Sequence, residues 1–69
     1  MIKYSFVLQK PDEFKWGYGT ELKKIRGSQW QGKVVGFYST TLTPEGYAIE
    51  SNTEKGSVQI YPAQALEEV

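Results

Sequence analysis

The chain contains no cysteine and no histidine. The first absence excludes disulfide staples, and the two together exclude zinc sites built on thiolate or imidazole. They also exclude Ser-His-Asp and Cys-His nucleophile arrangements. An excess of one charge is missing as well. Eight basic and eight acidic residues give a formal net charge of zero, whereas a general nucleic-acid binder shows a basic excess. No apolar run approaches the roughly 20 residues needed to span a bilayer as a helix. The N-terminus has neither the apolar core nor the small-residue cleavage site of a signal peptide. With the lack of cysteine, this gives an expected cytoplasmic location. Phosphate-cradling motifs are absent too: Gly17 and Gly19 form a bare G-x-G with no strand-turn-helix unit after it, and there is no P-loop.

What is there is a chain of 69 residues, one domain at most. Below about 70–80 residues a single core seldom supplies more than about 3–5 kcal/mol, and small domains add a staple. With disulfides and zinc excluded, oligomerisation is the staple that remains. Aromatic residues make up 14% of the chain, more than one small core is expected to need.

Strand signals dominate after the first 15 residues. Strands are expected at 20–26, 33–41, 47–52, 57–61 and 66–69. A tight turn falls at 42–46, where Pro44 presets φ and Gly46 can take a positive φ. A second turn falls at 52–56, and 62–65 suits a single 3₁₀ turn. Gly or Pro interrupts most windows in which a helix could form. The expected fold is all-β, a small five-stranded SH3-like barrel over residues 16–69. Residues 1–15 are expected to be a poorly ordered arm. The alternative is an extra edge strand over 4–8, whose residues are strand formers.

Two strands carry the functional signal. In 33–41, Val35 and Phe37 share one face while Val34 and Tyr38 share the other, so both faces are apolar. One should be core and the other an interface. In Ser57-Val58-Gln59-Ile60-Tyr61, alternation sends Ser57, Gln59 and Tyr61 to one face and Val58 and Ile60 to the other. On alternation alone Val58 and Ile60 belong to the core. The polar, aromatic face then meets water, a ligand or another copy of the chain. Leu22, Val35, Phe37 and Ile49 are expected to be packing residues, and Trp30 either core or subunit contact. Lys23, Lys24 and Arg26 form the one dense basic cluster. Such lysines commonly flank strands in solvent, and a functional role needs the cluster repeated by symmetry around an anion. Glu45, Glu50 and Glu54 lie in or beside turns and are expected to be solvated.

Trp30-Gln31-Gly32, Gly36, Tyr38, the run L-T-P-E-G-Y-A at 42–48, Glu50-Ser51 and the run G-S-V-Q-I-Y-P at 56–62 resemble the plasmid-encoded, trimethoprim-resistant type II dihydrofolate reductases. The match runs from about Trp16 to Leu66. The resemblance implies an SH3-like barrel assembled as a homotetramer with 222 symmetry, whose central pore is the single active site. It implies dihydrofolate as substrate and NADPH as cofactor, with no nucleic-acid or membrane partner and no metal. It places Ser57, Val58, Gln59, Ile60 and Tyr61 in the pore and Lys24 at its mouths. Symmetry-related Gln59 amides would pair above and below the ligands. The Ile60 backbone would bond the nicotinamide carboxamide and the pterin edge, Tyr61 would meet ribose or phosphate oxygens, and Lys24 would attract phosphates and the glutamate tail. None of these residues is a general acid at neutral pH. Substrate protonated by solvent at N5 would be bound, and catalysis of hydride transfer to C6 would be mostly proximity.

Three residues depart from the family pattern. Glu54 stands where a histidine is common, so a histidine-driven dissociation near pH 6 is not expected. Phe37 stands where a tryptophan makes a subunit contact. Ile25 replaces a lysine, which predicts weaker cofactor binding. The alternative function is a non-catalytic SH3-like module or scaffold that binds a protein or peptide. Gln59 between two apolar residues favours the enzyme, because a solitary module gains nothing from it.

Overall fold

The structure is a computed structural model that describes the backbone of residues 5–7 and the whole of residues 10–27 and 29–69. Six strands form in chain order: β1 (Ser5–Val7), β2 (Glu21–Lys24), β3 (Gln31–Ser39), β4 (Gly46–Ser51), β5 (Val58–Pro62) and β6 (Leu66–Glu68). A 3₁₀ turn at Ala63–Ala65 separates the last two. Every pairing is antiparallel, and the order is β5-β4-β3-β2-β6. The fold is all-β, as expected, and no helix among the described residues is long and apolar enough to cross a membrane.

β3 organises the sheet because its nine residues exceed what one partner needs. β2 pairs with its Gln31–Lys33 end and β1 with its Phe37–Ser39 end, while β4 runs along the other side. The two ends of the strand path, β5 and β6, are joined through the 3₁₀ turn but not paired to each other. Among the described residues β5 therefore keeps a free edge.

β1 lies within the stretch expected to be an arm. β1 belongs to the sheet, which makes six strands rather than five, and it falls where the alternative reading put an edge strand. Positions 1–4, 8 and 9 lie outside the described residues. Phe14 is buried in the core, and its N–H donates to the Pro11 carbonyl at 3.0 Å.

The core comprises Phe14, Leu22, Val34, Phe37, Tyr47, Ile49, Ala63 and Leu66, with Trp16, Trp30 and Tyr61 packed against it. Tyr47 meets Phe14 and Phe37 edge-on, at 5.4 and 5.9 Å between ring centroids. Such pairs add about 0.5–1.5 kcal/mol beyond the area they bury. The aromatic richness is thus largely absorbed within the fold and does not by itself signal an interface.

The expected pairing of Val35 with Phe37 on the core face is corrected by a β-bulge. Val34 pairs with Ile49 but Gly36 with Ala48, so Val35 is the extra residue. A bulge breaks the two-residue alternation. Val34 and Phe37 consequently share the core face, and Val35 is only half-buried.

Gly46 also plays a different part from the one expected. Its φ is not positive; Gly19, Gly27 and Gly56 have that conformation. Gly46 opens β4 opposite Tyr38, and a Cβ there would overlap the Tyr38 ring. The turn is closed instead by Thr40, whose N–H donates to the Thr43 carbonyl at 2.8 Å while its hydroxyl accepts from the Thr43 N–H at 2.9 Å.

Candidate active site at the free edge of the sheet

Register decides which way β5 faces. Tyr61 lies opposite Tyr47 and Gln59 opposite Ile49, and both partners are core residues. Gln59 and Tyr61 thus occupy the core-side face at its open margin. Val58 and Ile60 lie opposite Glu50 and Ala48 on the outer face, 46% and 47% exposed. Alternation was right that the two sets separate, but the assignment to core is reversed. The Tyr61 ring packs at the core margin, and the two aliphatic residues are left outside.

The hydrogen-bond phase of β4 and β5 adds a second property. The Ser51 N–H donates to the Ser57 carbonyl and the Ala63 N–H to the Glu45 carbonyl, each at 2.9 Å. These contacts mark the 51/57 and 45/63 pairs as hydrogen-bonded. Antiparallel ladders alternate hydrogen-bonded with non-bonded pairs, so 49/59 and 47/61 are bonded as well. The N–H and C=O groups of Val58 and Ile60 therefore point away from β4, off the free edge. Two donors and two acceptors stand there beside two exposed aliphatic side chains. Edges of soluble proteins are usually covered or charged; the Val58–Ile60 stretch carries no charge and pairs with no other strand among the described residues.

Three of the six residues expected at the site come together as side chains. The Tyr61 hydroxyl donates to the Gln59 side-chain carbonyl, and Lys24 Nζ lies 4.9 Å from the centroid of the Tyr61 ring. Partial burial raises the Tyr61 phenol above its ordinary value of 10.0. Val58 and Ile60 join this group through the same strand, with side chains on its opposite face. Ser57 sits at the strand entrance, its N–H bound to the Glu54 carbonyl at 3.0 Å.

Lys24 also belongs to a groove of about 380 Å³ that runs along the β2–β3 connection, lined by Lys23, Lys24, Arg26, Trp30, Gln31 and Glu67 among others. Lys23 is paired there with Glu67 at 3.7 Å. The cations are legible in the sequence, but nothing local marks Trp30 and Gln31 as walls of the same groove.

Two carboxylates expected to be solvated hold backbone instead. Glu45 Oε2 accepts from the Tyr47 hydroxyl and from the Lys15 N–H. Glu50 Oε2 accepts from the Gly56 N–H at 2.7 Å and closes the turn that leads into β5. Glu21 was not singled out by sequence. Its Oε2 accepts from Gln31 Nε2 at 3.0 Å and Asn52 Nδ2 at 2.8 Å. These two bonds, Gln31 first, hold its carboxyl below the ordinary value.

Residues 3–69 match the family described as R67 dihydrofolate reductase. Two proteins of Escherichia coli, each named dihydrofolate reductase type 2, are 56% and 52% identical to the chain over 59 residues, which are 86% of this chain and 76% of each relative. The chain belongs to the R67 dihydrofolate reductase family.

Proposed function

We propose that this protein reduces dihydrofolate to tetrahydrofolate with NADPH, is insensitive to trimethoprim, and works as a homotetramer of SH3-like barrels with 222 symmetry around one pore. The observation that carries this reading is the β5 edge, where backbone groups of Val58 and Ile60 that pair with no other strand among the described residues adjoin the joined side chains of Lys24, Gln59 and Tyr61. One such edge is a liability in a monomer. Four of them facing a common axis become the wall of a tunnel.

Each residue has a task set by its chemistry. The Ile60 N–H and C=O bond planar amide and pterin edges. Gln59 presents its amide N–H groups to a symmetry mate or a ligand, because its carbonyl oxygen already accepts from Tyr61. The Tyr61 phenol orients Gln59, and its hydroxyl oxygen accepts a bond from ribose. Ser57 holds the entry to the strand, and Val58 and Ile60 exclude water from the wall. Lys24 at the mouth concentrates anionic ligands. NADPH, when bound, supplies the hydride. None of the six site residues is a carboxylic acid or an imidazole, so the proton comes from solvent and the protein contributes proximity and orientation.

The test is NADPH oxidation with dihydrofolate, with and without trimethoprim, on the wild type and Gln59→Ala, alongside light scattering for mass. Drug-insensitive turnover by a tetramer that the substitution suppresses supports the reading. A folded monomer, or a tetramer without turnover, overturns it.

A further inference from the structure

We infer that Arg26 is a specificity-determining residue of this protein: with Lys24 it forms a seat for an oxyanion in the groove of the β2–β3 connection. The inference rests on the proposed reductase reading for the identity of the ligand, though not for the existence of the seat.

The groove contains three cations and one carboxylate. Lys23 and Glu67 neutralise one another. Lys24 is held over the Tyr61 ring, which leaves its charge in place. Arg26 is exposed and forms no ion pair, hydrogen bond or ring contact with any described residue. Two positive charges without a counter-charge thus remain in one depression beside the Trp30 indole. Like charges held close together repel, and a bound anion relieves that repulsion. The planar fork of a guanidinium fits the two oxygens of a carboxylate or phosphate.

Lys24 connects the groove to the β5 edge, since it lines one and touches the other. A ligand whose ring lies on the edge and whose anionic tail leaves past Lys24 enters the groove that Arg26 also lines. Position 25, a lysine in the family pattern, is Ile25 here and 48% exposed. Arg26 supplies the second cation, lining the same groove as Lys24. The ligand class is a molecule with a carboxylate or phosphate tail longer than a single anionic group.

Arg26→Gln removes the charge without breaking an ion pair, hydrogen bond or ring contact to any described residue. Steady-state kinetics compare dihydrofolate carrying one and three γ-linked glutamates, and NADPH against NADH. Lys55→Gln, in the β4–β5 turn outside this groove, controls for the change in net charge. The expected result is a KM for the triglutamyl substrate raised about two- to fivefold in Arg26→Gln, the range of one exposed ion pair, and a smaller rise for the monoglutamyl form. A rise confined to NADPH relative to NADH also supports the seat and assigns it to the cofactor phosphate. Equal effects of Arg26→Gln and Lys55→Gln, or none, overturn the inference.

A binding arm does not depend on turnover. Tri-γ-glutamate and inorganic pyrophosphate are titrated while the Trp30 indole N–H, which donates to the Ile49 carbonyl at 3.2 Å, is followed by NMR. Either titrant should shift that signal in the wild type and not in Arg26→Gln. If no variant turns over dihydrofolate, the reductase reading fails, and this titration still decides the seat. An unmoved indole signal in the wild type overturns it.

Discussion

The Tyr61 hydroxyl donates its proton to the side-chain carbonyl of Gln59, two residues earlier on the same face of β5. This bond fixes which end of the Gln59 amide is presented outward. Gln59→Ala removes that amide, and Tyr61→Phe leaves it free to rotate. Each is expected to lower kcat/KM by about tenfold or more, corresponding to one or two hydrogen bonds of about 1–1.5 kcal/mol. Because the two side chains act as a unit, the double variant should lose less than the product of the single losses. Strictly multiplicative losses in a double-mutant cycle would show that the bond has no role in catalysis.

Turnover should fall steadily as pH rises. The Tyr61 phenol is pushed up by burial, so it stays protonated through the neutral range and titrates well above it. The site contains no carboxylic acid or imidazole to impose an acidic limb. The proton needed at N5 then comes from solvent, and its supply drops tenfold for each pH unit above the substrate's own pKa. Initial rates from pH 5 to pH 9 test this. A bell-shaped profile would reveal a titrating side chain and contradict the proposal.

Tyr47 ties the segment ahead of β2 to the rest of the domain. Its hydroxyl donates to Glu45 and accepts from the Trp16 N–H at 3.3 Å, and its ring is fully buried. Tyr47→Phe should destabilise the fold by about 1–3 kcal/mol, because partners are left unsatisfied. Burial first, and the Glu45 carboxylate second, raise the phenol far above its ordinary 10.0. The folded state therefore keeps this proton more tightly than the unfolded chain. That stability is complete below pH 10 and is lost as pH rises from there toward the folded value. Denaturant midpoints should decline above pH 10 in the wild type and more shallowly in Tyr47→Phe.

Much of the fold is legible from alternation and turn residues, and its misreadings have local causes. The strands at 20–26, 47–52, 57–61 and 66–69 and the 3₁₀ turn appear within a residue or two of where the pattern puts them. The bulge at Val35 is invisible in composition, because Val34, Val35 and Phe37 suit either face equally. Phe14 lies among polar and charged neighbours, so nothing local marks it as core. At the site, the family resemblance singled out Lys24, Gln59 and Tyr61, but their contact depends on β2 and β5 approaching across the domain, which no local signal encodes. The outward face of Val58 and Ile60 was missed for a related reason. Apolar alternation indicates that two sets of side chains separate, and only the register with β4 says which set faces the core.

Glu21 predicts how the protein responds to acid. Gln31 and Asn52 both donate to its Oε2 and tie β2 and β3 to the turn that feeds β5. Those bonds hold the carboxyl below its ordinary 4.5. The brace is therefore complete above about pH 4.5 and is lost as pH falls through the lowered value. With no histidine in the chain, no unperturbed side chain changes charge between pH 5 and 8. The proposed tetramer should keep its mass from pH 8 down to 5.5 by sedimentation. Glu21→Gln should speed amide exchange across residues 52–57 at pH 7, and below pH 4.5 wild type and variant should converge. A wild type that halves its mass at pH 5.5 would contradict this prediction.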